Sequence, residues 1–289
     1  MLNNMNEFSN AVGTVVNDAV RRAMRKNSGQ FEGTWEYHVI TPNVAYTMPN
    51  EFVWVSTVKY TSQASVAFAR RIDCNFDITI DSTHATHSSN GLPLNELDCE
   101  IFPDAQHPLY WPTPRYVQGG QRIYFAGSTP FTGTYLVLHG FRPIRERSVA
   151  TNRIPFIYTM GWNNIAPSTN NIDTVEIMPN TKFVITHVIS IQRVIDPVGN
   201  YMVETPDMNV DINIVNKPVG RTTANTAMLF GTPQFPFRLD APVVIGAGNS
   251  IYINGTAPAW ADGLNRDVFL YFVGIQLTGN NVPMTSVAD

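Results

Sequence analysis

Alternating hydrophobic and polar positions, the spacing typical of a β-strand, dominate this chain from about residue 35 onward. Turn residues separate the alternating runs at nearly regular intervals, and no helical segments lie between them. The pattern therefore predicts an all-β protein built from sandwiches or jelly rolls. Strands are expected near residues 35–40, 52–60, 65–71, 74–81, 121–127, 134–142, 173–178, 182–195, 201–204, 209–215, 249–254 and 267–277.

The first 34 residues have a different period, and the pattern predicts one amphipathic helix from Glu7 to Lys26. Asn6 can cap its start, and Asn27-Ser28-Gly29 ends it. Its apolar stripe contains Phe8, Val12, Val15, Ala19 and Ala23. Its last turns carry Arg21, Arg22, Arg25 and Lys26, where the helix dipole favours cations. Two interpretations stay open. The helix folds back on its own domain, or it is an assembly arm that docks on a neighbouring subunit or an anionic surface.

Sequence landmarks in the first half of the β-region recur in the second half in the same order. Met48-Pro49-Asn50 returns as Met178-Pro179-Asn180, an offset of 178 − 48 = 130 residues. The run ending at Gly140 returns at Gly274, an offset of 134 residues. We therefore predict two tandem jelly-roll or β-sandwich domains related by internal duplication. The alternative is that turn-strand patterns recur in any all-β chain. The predicted boundaries are 1–34 for the helical arm, 35–145 for the first domain and 146–289 for the second.

Each predicted domain contains one long irregular connection, 82–118 in the first and 216–248 in the second. Both hold a cluster of proline and aromatic residues, and prolines at that density are incompatible with a central strand. These aromatic residues are either lids over their own core or exposed contacts between subunits. The candidate contact residues are Tyr110, Trp111, Phe235 and Phe237 in these connections, together with Phe8, Val12, Val15, Arg21, Arg22 and Arg25 of the arm.

The composition narrows the classes of function. Of the 289 residues 44% are hydrophobic, which is enough for two cores, and only 15% are charged. A surface with few charges suits extensive contact with neighbours. The net charge of −4 argues against a broad nucleic-acid footprint. Cys74 and Cys99 have no cysteine counterparts in the second repeat, so we interpret them as buried or free thiols, which favours assembly in a reducing cytoplasm. No signal peptide or membrane-spanning segment is expected.

No catalytic motif is recognisable. His84 and His87 lie close to Asp81, but a zinc site would need further ligands at a suitable spacing. Asp73, Asp77 and Asp81 could share one strand face and bind calcium, although the solvated face of a strand explains them as well. Asn254-Gly255-Thr256 matches a glycosylation sequon. We predict no metal, no cofactor and no enzymatic activity.

Together these features make the chain resemble bacteriophage virion structural proteins with two tandem jelly-roll domains after a helical arm. The resemblance rests on the repeated Met-Pro-Asn, on a Gly-rich turn followed by Ile-Tyr at 119–124 and again at 246–252, and on the terminal Gly landmarks. It implies that the two domains stand side by side, that copies assemble as trimers or rings, and that the arm reaches other virion proteins or an internal membrane. It also implies assembly in the host cytoplasm. The role in the virion stays open between major capsid protein and a capsid-associated, cement, collar or fibre-base protein.

Two other classes of function remain. A carbohydrate-binding or receptor-binding module would use aromatic platforms, for which the candidates are Trp35, Trp54, Trp111, Trp162 and Trp260. A hydrolase on a β-sandwich would need two converging carboxylates, and the sequence offers no specific pair.

Overall fold

The computed structural model describes residues 33–61, 75–81, 83–84, 86–88, 97–98, 101, 106–127, 134–143, 153–195, 201–214, 217–218 and 223–278. These residues form an all-β structure of four sheets. The predicted helix at Glu7–Lys26, the predicted strand at 65–71 and residues 144–152 around the predicted domain boundary lie outside the described residues. The division into domains at residues 145 and 146 therefore stays a prediction.

Residues 33–143, the first half, supply ten strands. They are β1 (Gly33–Ile40), β2 (Tyr46–Thr47), β3 (Phe52–Thr61), β4 (Asn75–Ile80), β5 (Thr83–His84), β6 (Thr86–Ser88), β7 (Leu97–Asp98), β8 (Leu109–Val117), β9 (Arg122–Gly127) and β10 (Thr134–Pro143). Residues 153–278, the second half, supply ten more strands and one short helix. They are β11 (Arg153–Ile165), β12 (Asn170–Glu176), β13 (Thr181–Ile195), β14 (Tyr201–Glu204), β15 (Asn209–Ile214), β16 (Lys217–Pro218), β17 (Ala224–Asn225), α1 (Thr226–Leu229), β18 (Phe237–Ile245), β19 (Ser250–Thr256) and β20 (Arg266–Thr278).

The two halves have the same strand order. In the first half, sheet A runs β1-β10-β3-β8 and sheet B runs β2-β9-β4-β5, with β7 also paired to β4. In the second half, sheet C contains β11-β20-β13-β18 and sheet D runs β12-β19-β15-β16, with β17 also paired to β15. When the eight main strands of each half are numbered in order, both halves read 1-8-3-6 opposite 2-7-4-5. This is the order of a jelly roll.

The register of the strands repeats as well. Pairing between β10 and β3 shifts at Gly140 and leaves Val55 as a bulge. Pairing between β20 and β13 shifts at Gly274 and leaves Thr186 as a bulge. Both positions need glycine, because a Cβ atom would collide with a backbone carbonyl oxygen of the neighbouring strand, that of Val53 at Gly140 and that of Val184 at Gly274.

Two stretches predicted to be irregular connections contain strands. Residues 109–117 form β8, which pairs with β3, and residues 237–245 form β18, which pairs with β13; among the described strands both lie at the edge of their sheet. The prediction was wrong because a high proline content is incompatible with a central strand but not with an edge strand. Pro112 and Pro114 lie in a stretch of β8 that skips pairing with β3, and edge positions tolerate residues without a backbone donor.

Sheet C is covered on both faces. One face packs on sheet D around Tyr158, Phe183 and Leu270. The other face supplies six buried side chains to the core between sheets A and B: Ile157, Ile189, Ile191, Phe269, Tyr271 and Val273. The run Arg266–Gly274 of β20 is buried at every position for this reason. The two halves thus share a continuous apolar interior.

Two polar features also join the halves. Thr86–Ser88, from the first half, pairs in parallel with Ile157–Thr159 at the edge of sheet C. Arg115 on β8 is buried and donates from Nη1 to the carbonyl oxygen of Pro155 at 3.2 Å. Burial lowers the pKa of Arg115 to about 10. The Arg115 guanidinium of the first half therefore supplies a hydrogen-bond donor to the carbonyl oxygen of Pro155, on β11 of the second half.

Candidate assembly surfaces and a polar cleft

The six predicted contact residues of the arm, Phe8, Val12, Val15, Arg21, Arg22 and Arg25, lie outside the described residues, and their role stays a prediction. The structure places the other four on two equivalent strands or beside them. The sections of sheet that carry these four residues differ in burial.

Tyr110 and Trp111 lie on opposite faces of β8. The Trp111 side chain is 5% exposed and meets Trp54 edge-to-face, with ring centroids 5.1 Å apart. Tyr110 is partly buried on the outer face of sheet A beside Val53 and Val55. Burial raises the pKa of the Tyr110 phenol. Trp111 thus packs in the core, one of the two alternatives for these aromatic residues. Its side chain is too buried for the predicted contact with another subunit.

Phe235 lies just before β18 and Phe237 is its first residue, and both side chains are exposed. Phe235 is 67% exposed and occupies a tight turn closed by reciprocal backbone hydrogen bonds with Thr232. Its ring meets that of His107, from the first half, at a centroid distance of 5.0 Å. Phe237 pairs with Val188 and is 47% exposed. Both aromatic side chains are available for the predicted contact with a partner.

We expect Trp111→Phe to lower the free energy of unfolding by about 1–2 kcal/mol, because it leaves a cavity beside Trp54. We expect Phe235→Ala to change it by no more than about 0.5 kcal/mol, as at other exposed sites. Urea unfolding followed by fluorescence measures both values. Equal losses of stability for the two variants would contradict this separation of core and surface roles.

Because the strand order repeats, the paired residues of β8 have equivalents on β18, and the two strands differ in burial. Thr57 pairs with Leu109, and its equivalent Val188 pairs with Phe237, so Leu109 and Phe237 occupy the same position. Leu109 is 3% exposed because β8 packs on β11 and β20, whereas Phe237 is 47% exposed. The edge of the second half that corresponds to the buried β8 therefore lies open and carries apolar side chains.

The surface that receives β8 has an open equivalent too. Ile157 of β11 is fully buried, and its equivalent on β1 is Tyr37, which is 64% exposed. Thr159 is likewise buried, and its equivalent Val39 is exposed. Sequence reasoning missed Tyr37 and Val39, although the alternating pattern of residues 35–40 placed both on one strand face. The described part of the chain thus has exposed apolar side chains at the β18 edge and on β1, at the margin of the outer face of sheet A, while Val53, Val55 and Phe141 on the same face are buried.

A polar cleft lies beside β14, α1 and the loop before β20. Its volume is about 650 Å³, and its lining residues are Gln192, Glu204, Thr205, Pro206, Asp207, Asn225, Ala227, Trp260 and Arg266. The Arg266 guanidinium lies over the Trp260 ring, 4.6 Å from the centroid. Gln192 and Arg266 are buried, whereas Asp207 is exposed. No pattern in the sequence indicates this cleft, because its lining residues come from four separate segments.

Arg266 fixes the geometry of the cleft. It donates to both oxygens of Glu204, at 3.1 and 3.3 Å, and to both oxygens of Asp262, at 2.6 and 2.7 Å. A further donation goes to the carbonyl oxygen of Leu264 at 2.7 Å. These contacts use all five guanidinium N–H groups. Arg266 is therefore a structural clamp between β14 and the loop, and it has no donor left for a ligand.

This clamp predicts a loss of stability in acid. Hydrogen bonds from Arg266 lower the pKa of the Asp262 carboxyl from 3.8 to about 2. The folded pKa lies below the unfolded one, so the stabilisation is complete above about pH 4. It is lost as the pH falls from 4 to 2. Thermal unfolding of the unmodified chain and of Asp262→Asn between pH 5 and pH 2 measures the effect. We expect a shallower fall for the variant, and parallel curves would contradict the role of this carboxylate.

The other residues singled out for chemistry lie in a part of the chain that the structure describes only in part. Asp81 lies in a turn and accepts a hydrogen bond from the backbone N–H of Arg122 at 2.8 Å. Asp73 lies outside the described residues, as do the side chains of Asp77, His84 and His87. Within the described residues, no group of three or more His, Cys, Asp or Glu side chains could hold a metal ion. The helical residues described do not form a segment with the length and hydropathy needed to cross a bilayer.

No protein-family model and no curated protein sequence matches the chain. Among solved structures, the chain is similar to the major capsid protein P2 of bacteriophage PM2, with 7% identity, a TM-score of 0.39, and coverage of 86% of this chain and 100% of the other. It is also similar to tandem carbohydrate-binding modules of a glycoside hydrolase from Streptococcus pneumoniae, with 9% identity, a TM-score of 0.22, and coverage of 83% of each chain. The ANX2 ectodomain from Arabidopsis thaliana is a third, with 10% identity, a TM-score of 0.23, and coverage of 87% and 84%. At these TM-scores the similarities carry no argument about function.

Proposed function

We propose that this protein is a non-enzymatic structural component of a virion that assembles head to tail into a trimer or ring. The observation that carries the proposal is a pair of exposed apolar surfaces. Each surface is the equivalent of one side of the contact that β8 makes with sheet C within the chain. Within one chain, the β8 edge packs on the outer face of sheet C. We propose that the β18 edge of one copy packs on the outer face of sheet A of the next copy in the same manner.

Specific residues support this arrangement. Phe237 would take the place that Leu109 has within the chain, and Tyr37 and Val39 would take the places of Ile157 and Thr159. Arg115 meets Pro155 in the internal contact, and the equivalent pair is Val243 with Trp35. All the replacements at these places are apolar, so the contact between copies needs no buried charge. Two different surfaces that meet in this way give a heterologous contact, which closes into a ring or continues as a filament.

We also infer that the halves arose by internal duplication. The shared strand order, the equivalent bulges at Val55 and Thr186, and the glycines opposite them support this inference. Jelly rolls are common in viral capsid domains, which supports a location in the virion. Contacts of the arm with other virion proteins or an internal membrane are part of the same proposal.

The test is the native mass of the purified full-length chain, measured by light scattering together with negative-stain images. We expect trimers or larger rings, and smaller species for a chain that begins at Gln30. A monomer at every concentration for the full-length chain would overturn self-assembly through these surfaces.

A carbohydrate-binding module is the second candidate, and the cleft beside Trp260 is the observation that favours it. Its volume lies in the range of small-molecule sites, and it combines an aromatic ring with carboxylate and amide groups. A glycan array with the full-length chain tests this candidate. Binding that disappears in Asp207→Ala would support it, and the absence of any bound glycan would reject it.

A further inference from the structure

A histidine lies on the surface that the proposed contact between copies would cover. Tyr37 pairs with His139 across sheet A, and its equivalent Ile157 pairs with Val273 across sheet C, so His139 and Val273 are equivalent. Val273 is 1% exposed and belongs to the same buried cluster as Leu109 of β8. The contact within the chain therefore buries a valine where the contact between copies would bury a titratable side chain.

The His139 ring already has apolar surroundings in a single copy. Its side chain is partly buried, and among the described residues its buried Nδ1 atom has no hydrogen-bond partner. The Trp35 ring lies beside it, with a centroid distance of 5.7 Å. Burial lowers the pKa of His139 below its ordinary value of 6.5, because a protonated ring would lose hydration there without gaining an anionic partner.

The described side chains that face His139 within its own chain carry no charge that could stabilise a proton on the ring. Glu36 and Arg142 alternate onto the opposite face of sheet A and bind each other there at 3.3 Å. The titratable groups on the same face as His139 are phenols, which carry no charge at neutral pH. They belong to Tyr37, Tyr110, Tyr116 and Tyr135.

The neighbouring copy would bring apolar side chains to His139. Its Phe237 and Leu239 would take the places that Leu109 and Trp111 have within the chain. The charged side chains of the same stretch, Arg238 and Asp240, alternate onto the other face of β18. A further titratable group beside this edge is His107, whose ring meets that of Phe235. The proposed contact thus supplies no carboxylate to a protonated His139.

We propose that His139 makes the assembly of this protein sensitive to acid: a proton on His139 opposes the contact between copies, so the ring forms at neutral pH and dissociates in mild acid. This inference rests on the proposed head-to-tail assembly, since that contact is what covers His139. It adds a means of regulation to the same surface, because a fall in pH releases the copies from one another without any change in the fold of each chain.

Proton linkage gives the direction of the effect. The apolar edge of the neighbour would cover the exposed remainder of the imidazole, so the pKa of His139 is lower in the ring than in a single copy. Single copies therefore bind protons more readily than the ring does. The contact has its full strength above about pH 6.5, and it weakens as the pH falls below that value, by up to about tenfold per pH unit for the one His139 in each contact.

The midpoint of ring dissociation on dilution, measured by light scattering at pH 8 and at pH 5.5, tests the acid response. For the full-length unmodified chain we expect the midpoint to move to several-fold higher protein concentration at pH 5.5. His139→Val introduces the residue type that Val273 provides at the equivalent position. We expect this variant to have the same midpoint at both pH values, since its contact contains no histidine at this place.

His38→Gln is the matched control. His38 lies on β1 on the opposite face of sheet A, where its Nδ1 atom shares a hydrogen bond of 2.8 Å with the Tyr46 hydroxyl group, and burial lowers the pKa of this histidine too. The control should keep the pH dependence of the unmodified chain. Near-ultraviolet circular dichroism at both pH values reports whether each variant is folded. Equal pH dependence of His139→Val and the control would overturn the role of His139.

The outcomes separate the acid response from the ring itself. A ring at pH 8 whose midpoint is unchanged at pH 5.5 would overturn the acid response and leave the proposed assembly in place. Failure of the unmodified chain to assemble at pH 8 would overturn the proposed assembly, and this inference with it.

Proton uptake gives a second measurement, which the unmodified chain alone can provide. The ring is diluted in a calorimeter at pH 6 in two buffers with different heats of ionisation, and the difference between the two heats gives the number of protons bound on dissociation. We expect uptake of up to about one proton per contact. His139→Val should lose this uptake, and the comparison separates any contribution of His107. No uptake by the unmodified ring, or equal uptake by both proteins, would overturn the acid response.

Discussion

We expect Phe237→Asp to reduce the native mass of the full-length protein to that of a single chain. Phe237 has the position that Leu109 occupies in the contact between the halves, where the side chain is almost completely buried. A carboxylate there would lose its water without gaining a partner, and hot-spot substitutions of this kind cost at least about 2 kcal/mol per contact. That cost weakens each contact between copies about 30-fold or more. Every contact of a closed ring contains the substituted residue, so all of them are weakened. Light scattering across a range of protein concentrations measures the effect.

Tyr37→Asp should have the same effect from the opposite side of the contact. Because the contact is heterologous, a mixture of the Tyr37→Asp and Phe237→Asp proteins has one intact combination of surfaces. We therefore expect the mixture to form dimers and to stop there. Ile172→Asp, at an exposed apolar position on β12, is the control and should assemble normally. Normal rings of Phe237→Asp, or failure of the Ile172→Asp protein as well, would contradict the assigned surfaces.

We expect Gly274→Val to lower the free energy of unfolding by more than about 4 kcal/mol, a loss that few single substitutions cause. A Cβ atom at residue 274 would collide with the carbonyl oxygen of Val184 and lie 2.8 Å from the Phe183 ring. The carbonyl belongs to the central strand β13, which pairs along almost its whole length and cannot shift without breaking the bulge at Thr186. A typical domain has only 5–15 kcal/mol to lose.

The soluble yield and the urea midpoint of Gly274→Val measure this loss. Gly119→Ala is the control, since a Cβ atom there comes no closer than 3.4 Å to another atom and the backbone is free of strain. The control should stay within about 1 kcal/mol of the unmodified chain. A midpoint for Gly274→Val equal to that of the control would contradict the role assigned to the bulge.

Strand positions were largely predictable where the alternation was uninterrupted. The predicted strand at 201–204 coincides with β14, and the one at 182–195 differs from β13 by a single residue. The landmark glycines at 140 and 274 were matched correctly, because the neighbouring strand comes so close at both positions that only glycine fits. The strands β8 and β18 were missed, since prolines mask alternation at an edge.

The surfaces were less predictable than the strands. Trp111 and Phe235 both lie in segments rich in proline and aromatic residues, and residue type alone did not separate the buried ring from the exposed one. Their burial depends on which strand packs against sheet C, and that is a property of the tertiary structure. The clamp of Arg266, Glu204 and Asp262 joins residues up to 62 positions apart, which no local pattern reveals.

The shared interior has a consequence for synthesis on the ribosome. Val273 belongs to the same buried cluster as Trp54 and Leu138, so this cluster cannot close until residue 273 has been made. Translation from residue 143 to residue 273 covers 130 residues, which takes about 7–26 seconds at usual elongation rates. During that interval the nascent first half has apolar side chains without their final cover. Such a chain is a substrate for chaperones, and slow codons between these positions would lengthen its exposure to aggregation.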